Sequence, residues 1–185
     1  MKKKKTERRI ALFGNLKVLV FAALLCAISG VMKLIAPSGD TWRISLENFP
    51  IIFAGITFGP WIGGIVGIGA DLLGCLFRGY AINPFITMAS MLAGFLSGLF
   101  LMLFNNRKTV ISIASSTLYA HIVANVLTKT VVLSLTYGMP AEVLLAERSV
   151  TYLITAAVES IIIIVLYKNK AIKNGLKRVI GNDEL

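Results

Sequence analysis

Asp71 and Lys129 are opposite charges set deep in apolar sequence, where each is expensive. A charge at the centre of a membrane-spanning helix costs ~2.5–3.5 kcal/mol on insertion scales, so it needs a partner or a task. At a rise of ~1.5 Å per residue, Asp71 lies ~10 Å below Arg78 at the end of its apolar run. By the same measure Lys129 lies ~12 Å below Tyr137, so the two share a depth. Asn125 stacks one turn from Lys129 on the same helix face, and Glu47 one turn from Arg43. With Asn48 and Arg78 these side chains form a polar constellation at one end of the molecule. Two readings of Asp71 and Lys129 stay open, an ion pair between helices or a pair of ligand-holding groups. The number of polar groups gathered at that level weighs toward the second. Deeper in the chain, His121 and Glu159 lie at a second common level and read as a structural pair satisfying two buried groups. A proton relay there has no other support.

Other chemistry is missing from the sequence. There is no glycine-rich phosphate loop ending in Lys-Ser/Thr, so the chain does not hydrolyse ATP by that route. A single histidine, no His-Glu-x-x-His and no CxxC leave no ordinary metal site. Ser115 and Ser116 do not share the face of His121, and no Gly-x-Ser-x-Gly element occurs. No span carries repeated arginines, as a voltage sensor would. Neither an enzyme nor a resident cofactor is expected. Cys26 and Cys75 both fall in apolar segments and read as small packing residues, not a disulfide.

The elements that must position these residues are membrane helices. Of 185 residues 56% are hydrophobic and 15% charged, against about 25% charged in soluble domains. Mean hydropathy is +0.79. Apolar runs predict spans over Leu16 to Ile35, Ser45 to Phe58, Trp61 to Phe77, Phe85 to Phe104, Val110 to Tyr137 and Ala141 to Tyr167. Turn formers separate them: Pro37-Ser38-Gly39-Asp40 before the interfacial Trp42, then Gly59-Pro60, Gly79 to Pro84, Asn105 to Lys108, and Gly138-Met139-Pro140. The second run is shorter than the ~20 residues of a straight crossing. Glycines crowd the second and third (Gly55, Gly59, Gly63, Gly64, Gly67, Gly69, Gly74), which reads chiefly as tight helix packing.

The net charge of +10 is distributed as in a multi-pass membrane protein, not a nucleic-acid binder. Six spans put the basic N-terminus, Arg107-Lys108 and the tail after Tyr167 on one side, with fourteen of the nineteen basic residues. Lys33, Arg43, Arg78 and Arg148 fall on the other. That bias places both ends in the cytoplasm. On the first span, Ala23 and Ala27 have the small-xxx-small spacing of close helix contacts, with Ala22 and Cys26 beside them. On spacing alone, packing within the chain is the favoured reading.

The segments Arg43-Ile-Ser-Leu-Glu-Asn-Phe-Pro-Ile-Ile, Ala54-Gly-Ile-Thr-Phe-Gly-Pro-Trp-Ile-Gly-Gly, Gly69-Ala-Asp-Leu-Leu-Gly and Ile82-Asn-Pro-Phe-Ile-Thr resemble the folate-type substrate-binding subunits of energy-coupling factor (ECF) vitamin transporters. The resemblance implies an all-α, single-domain protein over residues 1–185, with six transmembrane helices and a vitamin cavity near the outer face. It also implies a membrane coupling subunit and two ATPases as partners, which hydrolyse the ATP. Ala23 and Ala27 match the family's Ala-x-x-x-Ala contact with the coupling subunit, which shifts their reading to a partner surface. Folate is a flat pterin with an aromatic linker and a glutamate tail bearing two carboxylates. Asp71 or Glu47 could accept from the pterin N–H groups, and Lys33, Arg43 and Arg78 could hold the tail. Trp42, Phe77 and Tyr80 could stack on the rings. Asn48, Asn83, Asn125 and Lys129 complete the expected site. The cationic outer loops favour an anionic vitamin and disfavour thiamine, while pantothenate stays open. A stand-alone proton-coupled carrier and a packing scaffold are the rival classes. Neither an internal repeat nor a purely apolar lining, their respective signatures, is present.

Overall fold

The computed structural model describes residues 14–36, 45–103 and 109–180, and every long element among them is a helix. In chain order these are α1 (Leu16–Ile35), α2 (Asn48–Phe58), α3 (Pro60–Arg78), α4 (Pro84–Leu103), α5 (Val110–Tyr137), α6 (Ala141–Lys168) and α7 (Lys170–Ile180). Five of them, α1 and α3 to α6, are long and apolar enough to cross a membrane. Their limits lie within a residue or so of the apolar runs because the punctuation works as expected. Asn15 caps α1 by accepting from the Lys17 N–H at 3.0 Å. Pro60 opens α3, and left-handed Gly79 and Gly138 close α3 and α5. Large apolar side chains on α1, α5 and α6, among them Leu24, Val131 and Ile154, face outward as a lipid-facing belt.

The second run is not a span comparable to the others. At 11 residues α2 is ~16 Å long, about half of a ~30 Å hydrocarbon core. It sits in the centre of the bundle, where every residue except Phe49 is buried. Pro50 is tolerated because it falls in the first turn, whose N–H groups have no intrahelical acceptor. Gly59, at φ 100° and ψ 175°, then reverses the chain directly into α3, a conformation that needs glycine.

The α2–α3 hairpin packs on α4 with almost no side chain between the backbones. A methyl group on Gly94 would collide with the Gly63 carbonyl, and one on Gly67 with the Ser90 carbonyl. Ile51, Ile52, Ile56 and Phe58 of α2 form the centre of the core, against Val18, Ile62, Val66, Ala93, Ile113 and Ile163.

Two features depart from the sequence reading. Within α5, residues His121–Thr128 form wider π turns, and the Thr128 hydroxyl donates to the Val123 carbonyl at 2.8 Å. The lysine-rich tail continues as a helix, α7, with Leu176 and Ile180 buried against the bundle. Trp42, Arg43, Phe104, Arg107 and Lys108 lie outside the described residues.

Because a backbone carbonyl cannot move aside, Gly94→Ala is expected to destabilise by about 1–3 kcal/mol. Gly175→Ala, where an added methyl meets open space, should be neutral or stabilising by up to ~1 kcal/mol. Thermal unfolding of both variants in detergent checks this; equal midpoints would contradict the packing.

Candidate functional site

The polar constellation surrounds a cavity of about 370 Å³ at the N-terminal end of α2. From one side it is lined by Lys33 of α1, Glu47 at the start of α2, and Asp71 and Cys75 of α3. The α3–α4 connection adds Tyr80, Ala81 and Asn83, and α4 adds Ile86. The opposite wall is Lys129, Leu133 and Tyr137 of α5 with Arg148 and Tyr152 of α6. The Ser29 hydroxyl donates to the Glu47 carbonyl at 2.5 Å and pins the start of α2 to α1.

Asp71 does form an inter-helix ion pair, but with Lys33 and not with Lys129. The Lys33 ammonium donates to Asp71 Oδ1 at 2.5 Å, and both residues are buried. The Thr87 hydroxyl takes Asp71 Oδ2 at 2.7 Å. The reason lies in packing, since α3 lies broadly against α1, α2 and α4. The aliphatic stem of Lys33 crosses α3 over Gly74, where any side chain would collide with it. Lys129 is left lining the cavity at 7% exposure. Among the described residues its ammonium has no hydrogen-bond or ion-pair partner.

Arg148 faces the cavity near it, donating from Nη1 to the Asn125 carbonyl at 3.4 Å, while its Nε has no partner among the described residues. The lining therefore carries three cations against two carboxylates, with Lys33 and Asp71 already paired. Tyr80, Tyr137 and Tyr152 supply aromatic surface between the charges. Such a site offers ring faces, hydrogen-bond acceptors and a net positive field to a small anionic molecule.

Not every expected residue reaches the wall. Arg78 turns to the end of α1, donating to the carbonyls of Leu34 at 3.1 Å and Ala36 at 2.6 Å. It also donates to the Tyr80 hydroxyl at 3.0 Å, so it holds the rim. Phe77 is exposed on the outer surface. Asn48 and Asn125 are fully buried outside the cavity wall, with Asn125 3.1 Å from His121 Nδ1. The expected His121–Glu159 pair is present at 2.8 Å, and the His121 ring lies 5.4 Å from that of Tyr152.

Residues the sequence reading missed include Arg148, Tyr152, Leu133 and Tyr137. The last two follow Lys129 at one and two turns, and Tyr152 follows Arg148 at one turn, so helical spacing would have found them. On α1, Ala22 is buried, whereas Ala23 and Ala27 are exposed on the outer face. Among the described residues nothing covers them.

The arrangement is that of a multi-pass helical membrane protein with a half-open polar cavity at one end of the bundle, able to hold a small molecule. The model of the ECF transporter substrate-specific component matches residues 17–167. The chain belongs to that family: it is an S component, not an enzyme, and as such takes a vitamin substrate and works with an energy-coupling module. Among relatives, a folate transporter, FolT, of Clostridium novyi (strain NT) is 24% identical over 151 residues, covering 80% of this chain and 87% of the relative. The crystal structure of FolT bound with folic acid superposes with TM-score 0.69 at 25% identity, covering 82% of this chain and 92% of that one. The S component of a bacterial ECF transporter gives TM-score 0.64 at 29% identity, covering 88% and 98%. ThiT from Listeria monocytogenes shares the fold, with TM-score 0.66 at 23% identity over 83% and 94% of the two chains.

Asp71→Asn removes one charge of the buried Lys33–Asp71 pair and should destabilise by about 3–5 kcal/mol. The paired change Lys33→Met with Asp71→Leu should recover most of that loss. Thermal unfolding without ligand measures it; an Asp71→Asn variant as stable as the parent would mean the pair is not structural.

Proposed function

We propose that this S component captures folate, or a closely related anionic vitamin, in the cavity above α2. The observation that carries the reading is the buried Lys129 ammonium, which faces the cavity beside Arg148 with no protein partner among the described residues. A ligand carboxylate would supply the missing counter-charge to both. The pterin edge is assigned to Glu47 and Asn83, which line the cavity wall. Tyr80 and Tyr152 are assigned to the ring faces. Arg43 keeps its proposed role toward the glutamate tail, with Arg78 ordering the rim. The 24%-identical folate transporter and the folic-acid-bound structural relative support this ligand over other vitamins.

The proposal includes topology. Lys17, Lys168, Lys170, Lys173, Lys177 and Arg178 belong to the helix ends opposite the cavity. The positive-inside rule then supports a cavity opening outward and both termini in the cytoplasm. α2 and the cavity above it together occupy the place of one crossing, which gives six. Ala23 and Ala27 form a flush strip on α1 for the coupling subunit.

Calorimetry on the purified chain should show folate binding without any other subunit, and no binding of thiamine. Lys129→Gln and Arg148→Gln should each weaken it about 10- to 100-fold, the worth of a charged hydrogen bond. Pantothenate binding in place of folate would keep anionic capture and replace the vitamin. Thiamine binding would overturn the charge argument. Ala23→Arg with Ala27→Arg should leave folate affinity unchanged and abolish copurification of the coupling subunit.

A further inference from the structure

The helix α7 has one face built into the bundle and one face of basic side chains. It follows α6 after a single extended residue, Asn169, whose side chain caps it by accepting from the Ala171 N–H at 2.9 Å. Leu176 and Ile180 are buried and Ile172 and Val179 pack beside them, a spacing that puts all four on one face. The Asn15 amide donates to the Val179 carbonyl at 2.8 Å and ties α7 beneath the start of α1. The other face carries Lys170, Lys173, Lys177 and Arg178, and exposed Lys168 and Lys17 extend it onto the ends of α6 and α1.

No acidic residue offsets this charge among the described residues. Glu47 and Asp71 line the cavity, Glu142 and Glu147 stand at the beginning of α6, and Glu159 is in the interior. The surroundings identify what does. Leu16, next to Lys17, is 74% exposed, and Val165, one turn before Lys168, is 59% exposed. Lipid-facing apolar surface therefore gives way to the basic face within one turn on two helices. That is the level at which acyl chains give way to headgroups.

We propose that the polar face of α7 docks on anionic phospholipid headgroups of the adjoining leaflet and so braces the ends of α1 and α6 against the membrane surface. Charge complementarity selects the occupant, because a zwitterionic headgroup offers no net counter-charge to four cations. The proposal is independent of which vitamin the cavity takes.

The test is thermal unfolding of the full chain in neutral detergent, titrated with phosphatidylglycerol, with phosphatidylcholine and inorganic phosphate as separate arms. Phosphatidylglycerol should raise the midpoint, and raised salt should erase the effect. Each removed charge should weaken the lipid preference about fivefold, so Lys170→Gln, Lys173→Gln, Lys177→Gln and Arg178→Gln together should abolish it. Lys173→Arg with Lys177→Arg, which keeps the charge, should retain it. A shift of equal size with phosphatidylcholine, one reproduced by free phosphate, or one surviving in the fourfold variant would overturn the assignment. So would the absence of a lipid shift in a chain whose fourfold variant loses the coupling subunit, which would make the face a protein contact.

Discussion

The length of one helix sets the rest of this structure. In hydrocarbon every backbone N–H and C=O must find a partner inside the protein, so a helix of half the bilayer thickness cannot face lipid at its ends. α2 exists only because α1, α3 and α4 wall it in, and the close approach of Gly55, Gly63, Gly67 and Gly94 is how they do so. Its neighbours are 19 to 28 residues long, so the bundle continues past the first turn of α2. The cavity occupies that missing length. Ionisable side chains at this depth face such a cavity and not lipid, and the charged residues gather there.

Within that void the charges divide by whether the protein satisfies them. Lys33 and Asp71 neutralise one another over Gly74 and, with Thr87, fasten α1 and α4 to α3. They are the frame of the cavity more than its recognition surface. Lys129 and Arg148 come from the other wall, and their unused donors face inward. An S component binds its substrate without doing chemistry on it. A site whose last charges are satisfied only by the ligand gives affinity through the same contacts that stabilise the closed form.

Much of this was legible in the sequence. Span limits followed from apolar runs interrupted by Gly, Pro and Asn, and the common depth of Asp71 and Lys129 followed from counting residues. Depth, however, is one coordinate. Which helix stands beside which is decided by packing, and so Lys33, counted as an outer-loop charge, turned out to be the partner of Asp71. Arg78 was misjudged for the same reason, because the carbonyls that close α1 leave no trace in a local pattern. The α7 helix went unseen because five positive charges between Tyr167 and Arg178 masked the apolar spacing of Ile172, Leu176, Val179 and Ile180.

The π turns in α5 reconcile its two buried polar levels. In a regular α-helix the eight residues from His121 to Lys129 sweep about 80° beyond two full turns, since each residue turns ~100°. The two side chains would then sit at opposite edges of the inward face, which is ~100° wide. A wide turn absorbs one extra residue, which reduces the offset to about 20°. His121, Asn125 and Lys129 are accordingly all buried on the inner side, at 1%, 0% and 7% exposure. The lower level can thus keep His121 on Glu159 while the upper level delivers Lys129 to the cavity. The Asn125 carbonyl, inside this segment, is also where Arg148 is held, so the irregular backbone orients both unpaired cations of the site.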